Sequence, residues 1–363
     1  MTAGPRASVV VATYERAASI ERLLRQLGAQ TLAADEFEVV VVDDGSREAV
    51  GPRLQRLGVP CALTVLRQQN AGAAFARHQG IEAARGDLVI VVDDDMQVGP
   101  DFVAAHLNEH PAGSRRAVLG WVRLDPTRPM PLFERQHAQA LERLAEEVTA
   151  GRCTLQGSNL YTGNVSFRRE DYLAIGGFDP TLALSEDAEL GVRLEKAGVA
   201  LSFSRAARVV HSSDHASLER WRQRAFEYGR WDLRISRKHP DVAAASPWRF
   251  LFEVSPISRP LLLASVLVPF VTRPLARLAT RVALALDGRG RERLALAGAT
   301  FVYGLEYFRG VRAEAGSLGG AIADMRLFVR RRGAAHGGAE DGGPAVFMQP
   351  HAEGPAEMGR DCS

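Results

Sequence analysis

Three observations predict an α/β fold: a doubly wound, mostly parallel sheet followed by a C-terminal helical appendage. From residue 8 to about 95 the hydrophobic period switches repeatedly between strand and helix. The strand-like runs are continuous rather than alternating, as expected of strands covered on both faces. Two of these runs end in acids, VVDDGS and VVDDDM, and in doubly wound sheets ligands bind beyond the carboxyl ends of the strands. The two clusters are therefore expected to share one crevice.

Taken in order, SVVVATY (Ser8 to Tyr14) reads as the first strand, and Ile20, Leu23, Leu24 and Leu27 recur at helical spacing. FEVVVVDDGS (Phe37 to Ser46) is a second buried strand and CALTVLRQ a third. Ala71 to Ala84 reads as a helix and Leu88 to Val92 as a fourth strand. Strand–helix alternation of this kind implies right-handed crossovers. Further on, AVLGWVRLD is strand-like and MPLFERQHAQALERLAEEV helical. TGNVSFRREDYLAIGGFDP reads as strand, helix and Gly-rich turn, LSEDAELGVRLEKAG as a helix, and ALSFSRAARVVHSS as a returning strand. Ser185 stands at the N-cap of LSEDAEL, with Glu186 and Asp187 in its first turn.

The domain reading is an α/β domain over 1–235, a helical region over 236–331 and a disordered tail over 332–363, rich in Gly, Ala and Pro. LLLASVLVPFV has 11 apolar residues, short of the roughly 20 that a spanning helix needs. After Pro274, Leu275, Leu278, Val282 and Leu286 fall on one helical face and Arg273, Arg277 and Arg281 on the opposite one. Such a helix either lies in an anionic membrane surface or packs on the protein's own core.

Bulk composition narrows the classes. The 363 residues are 46% hydrophobic and 24% charged, ordinary for a globular chain, and the net charge of +2 gives no basic field that would suggest nucleic acid. Cys61, Cys153 and Cys362 are widely spaced, which disfavours a disulfide scaffold or a structural zinc site and fits a reducing compartment. The first apolar run is too short for a signal peptide. The expected location is cytoplasmic, with peripheral attachment to the inner face of the cell membrane as the variant that the arginine stripe raises.

The chemistry concentrates in acids. On an extended strand Asp93 and Asp95 share a face about 6–7 Å apart, where two charges repel by about 2–3 kcal/mol. A D-x-D of hard oxygens suits Mg²⁺ or Mn²⁺, whose shell substrate phosphates and water complete. Asp44 in VVDDGS is either a turn residue or a ligand for a base or ribose hydroxyls. Asp187, with Glu186, either complements the helix dipole or acts as a general base. His211, ending RVVH, is a candidate metal ligand or a structural histidine, and His215 a weaker candidate.

SVVVATYER, VVVDDGS, RHQGIEAARGDLVIVVDDDM, TGNVSFRR, IGGFDP and SEDAELGVRL occur in the order and approximate spacing of family 2 glycosyltransferases, which the chain resembles over residues 6–235. The resemblance implies the GT-A fold and inverting transfer of a sugar from a nucleoside-diphosphate sugar to a hydroxyl acceptor, dependent on a divalent metal (Mn²⁺ or Mg²⁺). Carried over by position, Ala12, Thr13, Tyr14, Glu15 and Asp44 would hold the nucleotide. Arg77, Asp93 and Asp94 would face the donor and its ribose. Asp95 and His211 would hold the metal, and Gly163 and Asn164 would border the donor sugar and acceptor. Asp187 would be the base, with Glu186 beside it. Two departures stand out. The family often has Arg-Asn at Arg77-His78, and the Gln-x-x-Arg-Trp of processive members is replaced by Glu219-Arg220-Trp221. A single addition is therefore expected, onto a cell-envelope, lipid-linked or secondary-metabolite acceptor, with Trp221 a candidate acceptor platform. The alternative is a non-catalytic nucleotide-sugar-binding subunit or sensor. Binding alone would need no base, and the absence of Gly-x-Gly-x-x-Gly after the first strand disfavours a nicotinamide enzyme.

Overall fold

The computed structural model describes residues 4–125, 127, 130–212 and 217–335. The part of the predicted tail beyond 335 and His215 lie outside the described residues. Among those described, the chain forms two compact units, one containing the residues up to Leu124 and Leu160–Ser212, the other Asp125–Asn159 and the residues from Ser217 on.

The first unit carries the sheet. Its elements are β1 (Ala7–Thr13), α1 (Ala17–Leu27), β2 (Phe37–Asp43), α2 (Gly51–Gln55), β3 (Ala62–Arg67), α3 (Ala73–Ala83), β4 (Leu88–Val92), β5 (Met96–Val98), α4 (Phe102–Asn108) and β6 (Arg116–Leu124). In the second unit α5 (Leu132–Thr149) follows. The chain then returns to the first with β7 (Asn164–Arg168), α6 (Arg169–Ala174), α7 (Glu186–Lys196) and β8 (Ala200–His211). The strand order is β3-β2-β1-β4-β7-β6-β8-β5. The first four strands and the β6–β8 pair are parallel, whereas β7 runs antiparallel to β4 and β6, and β5 to β8. The valine runs of β1, β2 and β4 are fully buried, as continuous β-branched strands should be. Packing α3 onto them depends on Gly80, where a Cβ would meet Val10 Cγ1 at 2.5 Å.

The second unit is helical: α5, α8 (Leu218–Lys238), α9 (Phe250–Glu253), α10 (Arg259–Leu267), α11 (Pro269–Asp287), α12 (Glu292–Glu314) and α13 (Leu318–Ala335). α13 thus runs through the predicted tail boundary at 332. Its axis is α12, buried nearly all round, which crosses α8 at two glycines: a Cβ on Gly229 would strike the Tyr307 carbonyl, and one on Gly310 the Phe226 carbonyl. Trp221 is buried here, its ring centroid 5.9 Å from those of both Phe133 and Tyr303. Its place is the core of the helical bundle, not a surface that could seat an acceptor.

Candidate active site

The site forms where β1, β2 and β4 end and where α3, α7 and β8 bring in their polar residues. Its acids do not follow strand alternation. β4 stops at Val92, and the chain turns, the Met96 N–H donating to the Asp93 carbonyl at 3.2 Å. Asp93 therefore diverges from its neighbours. Its Oδ1 accepts from Arg77 Nη2 at 2.5 Å. Asp94 and Asp95, instead of pointing apart, share the guanidinium of Arg16, whose Nη1 lies 3.3 Å from Asp94 Oδ1 and 2.7 Å from Asp95 Oδ2. Asp94 is buried, and Thr13 Oγ1 donates to its Oδ2 at 2.6 Å.

Arg77 joins the two halves of the site. Fully buried on α3, it reaches Asp93 with one nitrogen and Glu186 Oε1 with another at 3.5 Å. Burial works against its charge. Asp93 and Glu186, with Asp187 beyond them, outweigh burial and hold the guanidinium more firmly protonated than usual. α7 begins at Glu186, and Asp187 Oδ1 accepts the Ala188 N–H at 2.8 Å. Burial and the adjacent Glu186 push the Asp187 carboxyl well above the carboxylate range, against the pull of that N–H and of Arg77. A buried carboxyl raised in this way, beside a buried guanidinium, is the kind of group that collects at functional sites.

His211 reaches the acids because β8 runs beside β5: Met96 pairs with His211, and the Ser212 N–H donates to the Asp95 carbonyl at 3.1 Å. His211 Nε2 lies 3.3 Å from Asp95 Oδ2. Burial disfavours the Asp95 charge, but His211 and Arg16 overcome it and keep this carboxyl below its usual range. Asp94 moves the other way, pushed up to about 8 by burial and by Asp95, despite Arg16 and Thr13.

These residues fit a divalent cation. Asp95 Oδ1 is buried with no hydrogen-bond partner among the described residues, a hard oxygen left over beside an imidazole nitrogen. No group of three or more His, Cys, Asp or Glu among the described residues converges as a metal site. A Mg²⁺-like ion needs no such cage when substrate phosphates fill its shell.

The other predicted residues are distributed differently. Asp44 is buried and bonded to the segment before α3, its Oδ1 accepting from Gln68 Nε2 (2.7 Å) and the Ala71 N–H (2.9 Å), its Oδ2 from the Gly72 N–H (2.9 Å). It shapes the loop leading into α3. The Gly163 carbonyl accepts the Asp93 N–H at 3.3 Å, but Asn164 is turned into the core, where His106 Nε2 meets its Oδ1 at 2.9 Å and its Nδ2 donates to the Ala207 carbonyl. Ala12 and Tyr14 are half-buried and Glu15 is exposed beyond β1. His78 bonds Tyr172 Oη through Nδ1 at 2.9 Å, which gives the residue that departs from Arg-Asn a structural partner. Arg16 was not foreseen. Its signal was a cation in ATYER, at the carboxyl end of the strand next to the acids. Glu15 (φ 56°) and Ser185 (φ 59°) are, among the described residues, the non-glycine residues with positive φ. Both flank the site, where such strain tends to collect.

With this geometry in view, the chain can be set beside known proteins. The family model "Glycosyl transferase family 2" matches residues 8–176. A validoxylamine A glucosyltransferase of Streptomyces hygroscopicus subsp. jinggangensis is 30% identical over 278 residues, spanning 67% of this chain and 63% of that protein. The chain thus matches less than two thirds of that relative's length. A glucosyl-dolichyl phosphate glucuronosyltransferase of Haloferax volcanii is 28% identical over 218 residues, 57% of this chain and 69% of that one. In fold, the chain is similar to a mannosyltransferase from Pyrobaculum calidifontis solved with GDP-Man and Mn²⁺. The TM-score is 0.57 at 21% identity, covering 82% of this chain and 87% of the other.

Proposed function

We propose, on the match of residues 8–176 to the family model of glycosyl transferase family 2 and on a sheet of GT-A type, that the protein transfers a sugar from a nucleoside-diphosphate sugar to an acceptor hydroxyl, one addition at a time and with inversion. The observation that carries this reading is the buried Arg77 bridge, which brings Asp93 together with Glu186 and its neighbour Asp187 across 93 residues of sequence (186 − 93). A crevice that only bound nucleotide would not need the acid of α7.

In this reading Ala12, Tyr14 and Glu15 line the nucleotide side, where backbone and side chain remain accessible. Asp187 accepts the proton of the acceptor hydroxyl as that oxygen attacks the anomeric carbon from the face opposite the diphosphate. One in-line displacement with one base inverts the centre. Arg77 and Glu186 hold Asp187 and Asp93 in register. Asp95 and His211 would hold a Mn²⁺ or Mg²⁺ ion, which when bound neutralises the charge developing on the leaving diphosphate. A lipid-linked acceptor is in keeping with the name of the Haloferax relative, and an acceptor such as validoxylamine A with that of the Streptomyces one.

The test uses Asp187→Asn and Asp95→Asn, with nucleoside diphosphates screened for Mn²⁺-dependent thermal stabilisation. Asp187→Asn is expected to lower transfer by roughly 10²–10⁴-fold while donor-dependent stabilisation persists. Asp95→Asn should lose the Mn²⁺ dependence itself. Transfer that survives Asp187→Asn would overturn the base assignment.

A further inference from the structure

The sequence left open whether the leucine stripe of residues 275–286 packs on the protein or faces outward. The residues that α11 buries fully include neither its leucines nor its arginines. Its buried face is Thr272, Ala276, Thr280 and Ala283. These small side chains let α12 approach closely, and a Cβ on Gly298 would sit 2.9 Å from Ala283 Cβ. The helix therefore has three sectors. Val271, Leu278 and Val282, at i, i+7 and i+11, fall within about 40° of one another and are half or more exposed, Leu278 at 59%. Arg273, Arg277 and Arg281 form a second exposed stripe about 120° round the helix. Leu261 and Leu267 of α10 are exposed apolar side chains too, and Phe270, in the first turn of α11 on the side of the arginines, is 74% exposed. From Val254 to Leu286 the chain carries four arginines and no acid.

We propose that α10 and α11 form a docking surface for an anionic lipid bilayer, lying in its interface rather than crossing it. No helix among the described residues is long and apolar enough to cross a membrane. An apolar ridge beside a one-signed arginine stripe has the amphipathic pattern of interfacial helices: the leucines and Phe270 enter the acyl boundary while the arginines reach the headgroups. The charge argues against a second copy of this chain as the occupant. Across a two-fold axis the same patch meets itself, and the arginine stripes would face each other. This proposal stands apart from the transfer reading, since binding to vesicles needs no donor, metal or base.

The full chain is mixed with vesicles of phosphatidylcholine alone or with phosphatidylglycerol added, and flotation is measured at low and high salt. Binding is expected to the anionic vesicles and to weaken as salt rises. At about fivefold per arginine, Arg273→Gln/Arg277→Gln/Arg281→Gln should lower partitioning roughly a hundredfold. Phe270→Ser/Leu278→Ser should also lower it. These positions are exposed, so melting temperatures should hold, and an unchanged melt excludes misfolding as the cause. Absence of flotation with anionic vesicles overturns the proposal, as does flotation indifferent to both sets of substitutions. A concentration-dependent dimer that Leu278→Ser dissolves, with no vesicle binding, overturns it in favour of self-association. Donor-dependent thermal stabilisation, read in parallel, reports on the transfer site separately.

Discussion

Arg77→Gln tests the frame of the site directly. The Arg77 side chain is 3% exposed, and its partners Asp93 and Glu186 are 11% and 4% exposed, so little solvent can take over when the guanidinium is removed. Removing one partner of a buried pair costs about 3–5 kcal/mol, because the charge left behind is buried without compensation. At roughly 2–4 °C per kcal/mol for a domain of this size, the melting temperature should fall by about 6–20 °C. Asp93→Asn alone leaves the guanidinium with Glu186 and should cost less. The double variant should then cost less than the sum of the singles by about 1–3 kcal/mol, the signature of groups in contact. Arg77→Lys keeps the charge but not the fork that spans 2.5 Å to one acid and 3.5 Å to the other, and should fall between wild type and Arg77→Gln. Urea titration at pH 7 reads all four. A loss under about 1 kcal/mol for Arg77→Gln, or strict additivity in the cycle, would refute the bridge as built.

Burial holds His106 at about 4 and His110 at about 3, both far below the 6.5 of a free histidine. Between those values the unfolded chain binds more protons, so stability falls as pH drops below 6.5. His106 should account for about 2 kcal/mol between pH 7 and 5, and half-buried His110 for less. Urea midpoints across that range check it, and a flat profile refutes it. Gly177→Ala puts a side chain on a residue with φ 69°, its Cβ 2.7 Å from His78 Nδ1 and 2.8 Å from Tyr172 Oη. The cost should be about 1–3 kcal/mol in a denaturant melt. Trp221→Ala should cost about 3–5 kcal/mol as a core truncation. If it instead leaves stability intact and raises the acceptor KM, the acceptor role expected from sequence is restored.

Every strand but β5 falls within a segment that the sequence pattern marks as strand, most plainly β1, β2 and β4, whose valines have no polar face. Chain-local pattern suffices there, because both faces are covered. β5 escaped it. Three residues, Met96–Val98, carry no periodic signal, and they are a strand only because β8, more than a hundred residues on (209 − 98 = 111), supplies the antiparallel partner. The packing face of α11 stays open in the sequence for a related reason. Period 3.6 marks which residues share a side, but three sides were available, and the one that packs is set by how closely α12 can come. Small residues won that contact over leucines.

The site shows the same division between residue type and geometry. The acids at the strand ends were legible because a row of carboxylates is costly without cations, yet the pairing inferred for Asp93 and Asp95 assumed an extended chain that ends at Val92. Asp44 and Asn164 have the right chemistry for ligands and spend it on backbone and imidazole, which no spacing reveals. What the turn achieves is a sorting of charge. Asp93 goes with Glu186 to Arg77, and Asp94 with Asp95 to Arg16, so each pair of acids has one guanidinium. Five carboxyls, counting Asp187, then face two arginines, and Asp94 and Asp187 both hold their protons more tightly than free carboxyls do. A diphosphate brought to such a site meets more carboxyls than guanidinium groups. A further cation would favour its approach, and the oxygen left without a hydrogen-bond partner on Asp95 is where this chain offers to hold one.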